Sequence, residues 1–203
     1  MSGTEKTYFV KEIFYSLQGE GLNTGRPAVF IRFAGCNLSC PFCDTDWKTG
    51  KHLTAGEIVA AAQGVAKELP KLLVLTGGEP TLQVDAVLLD RLHTKFAEIA
   101  IETNGTRPIP KGVNFVTFSP KDDFTQGKES ILGAATEVKV VFDGNHNPEF
   151  WYSHIRAREY FLQPCDTGNE AQNRYIVEKC IKYIKEHPWW RLSLQTHKIV
   201  GIL

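Results

Sequence analysis

Seven short runs of apolar and β-branched residues recur along the chain and predict strands. They cover residues 28–33, 72–76, 97–103, 115–119, 137–142, 159–163 and 192–196. Several are almost continuously hydrophobic, which is typical of parallel strands covered on both faces. The pattern therefore favours a sheet that is buried on both sides.

Helical patterns lie between these strands, at residues 54–69, 84–96, 148–157 and 170–186. The first opens with Thr54 and Glu57, which have the spacing of a capping box. Alternating strands and helices predict an α/β fold with a mostly parallel sheet. A closed eight-unit barrel needs about 250 residues. The 203 residues of this chain therefore predict an incomplete β/α barrel that forms a single domain over residues 1–203.

Composition adds little that is specific. The 23 Lys and Arg residues balance the 23 Asp and Glu residues, so no charge pattern predicts binding to nucleic acid or to an acidic membrane. No apolar run is long enough to span a membrane, and the polar N-terminus lacks the apolar core of a signal peptide. We expect a cytoplasmic protein whose partner is a small molecule.

Three of the five cysteines, Cys36, Cys40 and Cys43, form a CxxxCxxC motif directly after the first predicted strand. In a reducing compartment, such a cluster indicates metal binding rather than disulfides. Three thiolates would leave one iron of a four-iron cluster without a protein ligand. That iron could bind a small molecule, much as the open position of a catalytic zinc does.

Two alternatives remain for the motif. A structural zinc site would need a fourth ligand, for which His52, Cys165 and Cys180 are candidates. The three cysteines could also be buried structural residues. Cys180 falls on the apolar stripe of the last predicted helix and is interpreted as a core residue.

Polar residues follow four predicted strands in succession. These stretches are Thr76-Gly77-Gly78-Glu79-Pro80, Glu102-Thr103-Asn104-Gly105, Ser119-Pro120-Lys121 and Gln163-Pro164. Since the carboxyl ends of parallel strands meet at one edge, the four stretches predict a polar cleft. The paired glycines would allow close approach of a ligand and leave backbone N–H groups free, and Glu79 could accept from an ammonium group. Each stretch taken alone could be a simple turn or cap.

The cysteine motif, with the aromatic Phe42 before its last cysteine, resembles the signature of the radical S-adenosylmethionine (SAM) superfamily. The resemblance implies a partial barrel and a [4Fe–4S] cluster on Cys36, Cys40 and Cys43 whose open iron chelates SAM. Reductive cleavage of SAM would give a 5′-deoxyadenosyl radical that abstracts hydrogen from substrate. The implied SAM contacts are Gly77, Gly78, Glu79, Glu102, Asn104, Ser119, Pro120, Lys121 and Gln163.

Residues 13–21, the Cys43-Asp44-Thr45 sequence and residues 194–203 further resemble the 7-carboxy-7-deazaguanine synthase family, over residues 10–203. This resemblance implies a lyase of queuosine biosynthesis that converts 6-carboxy-5,6,7,8-tetrahydropterin into 7-carboxy-7-deazaguanine with loss of ammonia. SAM would be used catalytically and Mg²⁺ would assist. An electron donor such as flavodoxin and a homodimeric assembly are implied as well.

The implied substrate contacts are Leu17, Gln18, Gly19, Glu20, Arg32, Thr76, His197 and the terminal carboxylate at Leu203. A carboxylate at Glu20 can accept the two parallel N–H donors of a pterin edge. The alternative is that Glu20 lies on an exposed turn between two glycines. His197 is expected on a strand-end segment, facing the substrate.

Arg32 lies inside a predicted buried strand, where a charged side chain needs an anionic partner. The substrate carboxylate can pair with a guanidinium through two hydrogen bonds, and an internal ion pair, for example to Asp44, is the alternative. By resemblance Thr45 supplies the protein ligand of Mg²⁺, an ion that prefers oxygen. Thr45 could instead cap a turn.

Two other functions remain open at this point. Another radical SAM enzyme, such as a glycyl-radical activating enzyme, would share the cysteine and glycine motifs but act on a protein. A non-enzymatic iron–sulfur or zinc module would normally provide four ligands. Trp151, Trp189 and Trp190 are interpreted as packing or interface residues.

Overall fold

The computed structural model describes residues 5–127 and 129–203. The first four residues, which belong to the polar N-terminal stretch considered above, lie outside the described residues. Among the residues that are described, no helix combines the length and apolar character needed to cross a membrane.

One nine-stranded sheet forms the framework of the molecule. Its strands are β1 (Thr7–Leu17), β2 (Pro27–Phe33), β3 (Lys51–Thr54), β4 (Leu72–Gly77), β5 (Glu98–Thr103), β6 (Phe115–Phe118), β7 (Glu137–Phe142), β8 (Glu159–Pro164) and β9 (Arg191–Leu192). They are ordered β3-β1-β2-β4-β5-β6-β7-β8-β9. From β2 onward the neighbouring strands are parallel, whereas β1 is antiparallel to both β2 and β3. The sheet does not close, which confirms the predicted incomplete barrel.

In the described part of the chain, five α-helices accompany the sheet: α1 (Ala55–Gly64), α2 (Ala86–His93), α3 (Glu149–His154), α4 (Glu170–Glu186) and α5 (Thr196–Val200). The bounds of α4 are those predicted from the sequence. The capping box at the start of α1 is also present, with the Glu57 N–H donating to Thr54 Oγ1 at 3.2 Å. This reciprocal bonding satisfies N–H groups that lack partners at a helix start.

The two ends of the chain differ from the prediction. Strand β1 was not predicted because Lys11 and Glu12 interrupt its alternation where the strand pairing shifts register. The predicted strand at residues 192–196 is wrong beyond its first residue: β9 ends at Leu192, and Thr196 opens the short helix α5. Instead of extending the sheet, this stretch brings Gln195 and His197 to the wall of the cavity described below.

The core lies on both faces of the sheet, as the continuous apolar runs predict. On one face, Leu73 and Leu75 pack with Leu88 of α2 in the larger core cluster. On the other face, Leu72 and Val74 pack in a separate cluster, because successive strand side chains point to opposite sides. A third cluster joins β7 and β8 to α3 and α4. These clusters fix the positions of the strands. The loops at the carboxyl ends of the strands are then available to form a binding site.

We expect Asp85→Ala to lower the free energy of unfolding by about 2 kcal/mol, because Asp85 joins α2 to β1. Its carboxylate accepts from the Leu88 N–H at 3.0 Å, which caps α2, and from the Tyr8 hydroxyl at 2.8 Å. Urea denaturation measures the change. Asp90→Ala on an exposed turn of the same helix is the matched control, and equal losses in the two variants would contradict the expectation.

Candidate active site

The carboxyl ends of the central strands surround one cavity of about 450 Å³. All predicted site residues except Glu79 and Pro120 line it. These are Leu17, Gln18, Gly19, Glu20, Arg32, Cys36, Cys40, Cys43, Thr45, Thr76, Gly77, Gly78, Glu102, Asn104, Ser119, Lys121, Gln163, His197 and Leu203. The expectation of a polar cleft at this edge of the sheet is met.

The three motif cysteines lie together at one end of the cavity as free thiols. The loop turns tightly there, with the Cys43 N–H donating to the Cys40 carbonyl at 3.2 Å and the Leu38 N–H to Cys36 Sγ at 3.4 Å. Burial raises the pKa of the Cys36 and Cys40 thiols. Three soft sulfur ligands presented by one short loop suit an iron–sulfur cluster.

Two of the candidate fourth ligands lie elsewhere. His52 stacks on Phe9 with ring centroids 4.9 Å apart, and Cys180 is fully buried in the cluster beneath α4. Neither lines the cavity, whereas Cys165, at the end of β8, does. Within the described ranges, no three His, Cys, Asp or Glu side chains converge as they would around a single metal ion.

The paired glycines are required by close approach of the chain to itself. A Cβ on Gly77 would lie 2.2 Å from the Phe33 carbonyl oxygen, and one on Gly78 would lie 2.0 Å from that of Gly35. The prediction that the glycine N–H groups are free is wrong for Gly78, whose N–H donates to the Phe33 carbonyl at 2.9 Å. The motif is thus held against the start of the cysteine loop.

Glu79 lies behind the cavity wall. It is fully buried, and its carboxylate accepts from the side chain of Thr103 and the N–H of Asn104, both at 2.8 Å, and from the Thr81 N–H at 3.0 Å. The expectation that Glu79 presents its carboxylate to a ligand ammonium group therefore does not match the structure. The residue instead joins the ends of β4 and β5.

Asn104 connects this junction to the cysteine loop. Its amide Nδ2 donates to Asn37 Oδ1 at 3.1 Å, and the Asn37 amide donates to Thr106 Oγ1 at 2.8 Å. Asn37 directly follows Cys36 in the chain. The end of β5 therefore fixes the position of the first motif cysteine.

The Ser119-Pro120-Lys121 stretch forms another part of the wall. Ser119 donates to the Lys139 carbonyl at 3.0 Å, and the Lys121 ammonium donates to the Ser119 carbonyl at 2.8 Å. Burial lowers the pKa of Lys121 to about 8. Pro120 is buried behind the wall, so its part is to fix the turn. Gln163 faces the cavity from β8 and accepts from Ser193 at 3.1 Å.

A buried charged cluster around Lys139 forms a further part of the cavity wall. The ammonium of Lys139 forms an ion pair with Glu20 and lies 3.9 Å from a carboxylate oxygen of Glu102. The Glu20 side chain is only 13% exposed, so the exposed-turn alternative is wrong. The sequence pattern did not single out Lys139. A lysine between two valines of a predicted buried strand is nevertheless a signal that could have found it.

The charges of this cluster stabilise one another. Burial alone would raise the pKa of Glu20, but attraction to Lys139 outweighs it and holds that pKa below its ordinary value. Burial would likewise lower the pKa of Lys139, but Glu20 and Glu102 raise it. We therefore treat Glu20 as a carboxylate and Lys139 as an ammonium at neutral pH.

Glu102 was expected among the SAM contacts, but its hydrogen bonds run to predicted substrate residues. The Gln18 amide donates to Glu102 Oε1 at 3.1 Å, and the Thr76 hydroxyl donates to Oε2 at 2.8 Å. The other end of the Gln18 amide accepts from the Glu20 N–H at 3.1 Å. Gln18, Glu20, Thr76 and Glu102 are thereby joined in one hydrogen-bond network.

Arg32 is neither deeply buried nor paired with Asp44. Its Nε donates to Glu12 Oε1 at 2.8 Å, and its side chain is 26% exposed at the cavity edge. Asp44 instead accepts from Lys198 at 2.7 Å. Because the ion pair engages Nε, the terminal nitrogens of the Arg32 guanidinium can still bind an anion.

The C-terminal segment closes one side of the cavity. His197 lies on α5, not on a strand end as expected, and packs on Gly19. The Thr196 N–H donates to the Gly19 carbonyl at 3.1 Å, and Ser16 Oγ donates to the Leu203 carbonyl oxygen at 2.7 Å. Thr45, in the cysteine loop, is half-buried and also lines the cavity.

We expect Gly19→Ala to raise the KM for substrate by about tenfold to a hundredfold, because it displaces part of the binding wall. The new Cβ would lie 2.2 Å from His197 Nδ1 and 2.9 Å from its backbone nitrogen, so α5 must move. Steady-state kinetics measures the effect. Gly64→Ala, where nothing lies within 4 Å, should leave KM unchanged, and a shared change would contradict the steric argument.

Fold and site together define a radical SAM enzyme, and residues 30–122 match the model of the radical SAM superfamily. More specifically, the chain belongs to the 7-carboxy-7-deazaguanine synthase family. It is 48% identical to the 7-carboxy-7-deazaguanine synthase of Bacteroides thetaiotaomicron over 95% of this chain and 97% of that one. It is 41% identical to that of Bradyrhizobium diazoefficiens, covering 97% and 99% of the two chains.

The solved structures agree with this family. The crystal structure of QueE from Escherichia coli superposes with a TM-score of 0.70 at 28% identity, covering 93% of both chains. The superfamily implies a [4Fe–4S] cluster and SAM as cofactors, and Mg²⁺ is consistent with the family. The chain is thus a radical SAM enzyme that acts on a small molecule.

Proposed function

We propose that the protein converts 6-carboxy-5,6,7,8-tetrahydropterin into 7-carboxy-7-deazaguanine with loss of ammonia, as a lyase of queuosine biosynthesis. The observation that carries this proposal is that a single cavity joins the three motif thiols to the buried Glu20–Lys139 pair. Substrate bound in this cavity beside the Glu20–Lys139 pair would lie within reach of a SAM-derived radical. The loss of ammonia balances the ring contraction.

The cofactors fit the wall nearest the thiols. When bound there, a [4Fe–4S] cluster with SAM would provide the radical chemistry that removes hydrogen from the substrate. We propose that Cys36, Cys40 and Cys43 ligate the cluster, and that Thr45 provides an oxygen ligand to Mg²⁺. The SAM contacts proposed from the same wall are Gly77, Gly78, Asn104, Ser119, Lys121 and Gln163.

The part of the wall around Glu20 and Arg32 presents groups that can bind the polar edge and the carboxylate of this substrate. A carboxylate at Glu20 accepts the paired N–H donors of the pterin pyrimidinone ring. Arg32, with its terminal nitrogens available, binds the substrate carboxylate at the cavity edge. We assign Glu102 to the substrate wall because the side chains of Gln18 and Thr76 donate hydrogen bonds to it. Four further residues, Leu17, Gly19, His197 and Leu203, complete the proposed substrate wall.

Some finer features of the enzyme are also proposals. We infer one domain over residues 1–203, a cytoplasmic location, a flavodoxin-like electron donor and a homodimer. The exposed aromatic side chains Phe150 and Trp189, which are 53% and 40% exposed, favour a protein interface on the α3 side. Trp151 and Trp190, by contrast, are buried packing residues.

Anaerobic reconstitution with iron and sulfide tests the reaction. The loaded enzyme is incubated with SAM, dithionite and 6-carboxy-5,6,7,8-tetrahydropterin. We expect 7-carboxy-7-deazaguanine and ammonia in equal amounts, with less than one SAM consumed per turnover. A fully loaded enzyme that forms no deazaguanine, or that consumes SAM stoichiometrically, would contradict the proposal.

A further inference from the structure

We propose that Lys139 is a positioning residue that holds the Glu20 carboxylate as the anionic acceptor for the paired N–H donors of a 2-aminopyrimidinone ring. The inference rests on the proposed function and adds a specificity-determining residue to it. Lys139 is 6% exposed, although its side chain carries a charge. A buried ammonium needs anionic partners, and it finds them in Glu20 and Glu102.

Strand β7 holds the Glu20 segment at two points. Glu137 and Lys139 are two positions apart, so both side chains project from the same face of the strand. Glu137 accepts from the Leu22 N–H and the Thr117 hydroxyl, both at 2.8 Å, while Lys139 binds Glu20 two residues before Leu22. The segment is fixed from one rigid strand, so the direction of the Glu20 carboxylate is set before substrate arrives.

Glu20 is also fixed along its backbone. The Glu20 N–H donates to Gln18 Oε1 at 3.1 Å, and the next N–H, of Gly21, donates to Ser193 at 3.1 Å. Gly21 has a positive φ of 65°, and a Cβ there would lie 2.3 Å from Glu137 Oε1. The Glu20 segment therefore has little rotational freedom. Lys139 determines the charge of the Glu20 carboxylate.

Lys139 controls the protonation of Glu20, which a side chain that only packs against it would not do. The groups that act on Glu20 are Lys139 from β7, His197 from α5, the neighbouring Gln195 through a hydrogen bond and Lys121 through its longer-range charge. Glu102 from β5 acts through its contact with Lys139. Lys139 provides the largest favourable interaction. Without it, burial favours the protonated acid, which presents a donor where the ligand also has donors. Binding should then improve as pH rises and the acid ionises again.

Binding of the product 7-carboxy-7-deazaguanine to the reconstituted holoenzyme tests this role by calorimetry between pH 6.5 and 8.5. Wild type should bind with an affinity that varies little with pH. For Lys139→Met we expect binding about tenfold or more weaker at pH 7, with recovery toward pH 8.5. Lys182→Met, on the exposed face of α4, is the matched control and should bind like wild type.

A double-mutant cycle with Glu20→Gln separates the mechanism from a general structural effect. If Lys139 acts through Glu20, Glu20→Gln/Lys139→Met should bind as Glu20→Gln does. The same comparison serves if Lys139→Met alone does not fold, because the double variant removes both members of the Glu20–Lys139 ion pair and leaves neither of them unpaired. Additive losses, a loss independent of pH, or unchanged binding in Lys139→Met would overturn the inference. Failure of the wild type to bind the product would instead count against the proposed function.

Discussion

Cys40→Ala is expected to abolish turnover and to prevent stable loading of the iron–sulfur cluster. The loop offers three thiols, and Cys40 is the middle one, so its loss leaves only two protein ligands for four irons. With no cluster, no radical forms, and the rate should fall by at least about 10⁴-fold to background. Iron and sulfide analysis, together with the anaerobic UV–visible spectrum, measures loading independently of activity.

Cys180→Ala is the matched control for this substitution. Cys180 lies in the core beneath α4 and does not line the cavity. Its replacement should cost about 1 kcal/mol of stability through a small packing defect while iron content stays at the wild-type level. A Cys40→Ala enzyme with a full cluster and full activity would refute the central site.

Glu20→Gln is expected to keep the cluster and to weaken substrate binding by about a hundredfold, or roughly 3 kcal/mol. The amide replaces one acceptor oxygen with a donor, so it opposes one of the two N–H groups of the pterin ring. It also leaves the buried ammonium of Lys139 with only the longer contact to Glu102, at 3.9 Å. Both effects act on the ground state and the transition state alike, so KM should rise more than kcat falls.

The control for Glu20→Gln is Glu98→Gln. Glu98 pairs with Arg26 at the protein surface, at 2.7 Å and with a side chain 43% exposed, and such pairs contribute little. Its replacement should leave iron content, KM and kcat unchanged. Wild-type KM in Glu20→Gln would remove Glu20 from the substrate wall, and loss of the cluster would show that its role is not confined to substrate.

Local pattern was sufficient to predict the parallel part of the fold. Strand β4, for example, opens with four consecutive apolar residues because both of its faces are buried in core clusters, and α4 carries a clear apolar stripe. The chain ends were harder to predict. Strand β1 carries charged residues that face the cavity edge, and α5 has five residues that are held by Gly19 rather than by their own helical propensity.

The candidate site shows a similar division. Residue types and spacing predicted which loops line the cavity, because parallel strands end at one edge. Partners between loops could not be predicted, since they depend on side chains from distant strands. Lys139, for example, lies 119 positions from Glu20 in sequence. The same reason explains why Arg32 pairs with Glu12 instead of Asp44.

The inward orientation of Glu79 changes how substitutions in the glycine motif should be interpreted. Through Asn104, this carboxylate is connected to Asn37, the residue that follows Cys36. A defect at Glu79 would thus be transmitted to the iron-binding loop, and its first symptom would be poor cluster assembly. Glu79, the acidic residue of the glycine motif, therefore connects three loops inside the protein: its own, the loop after β5 and the cysteine loop.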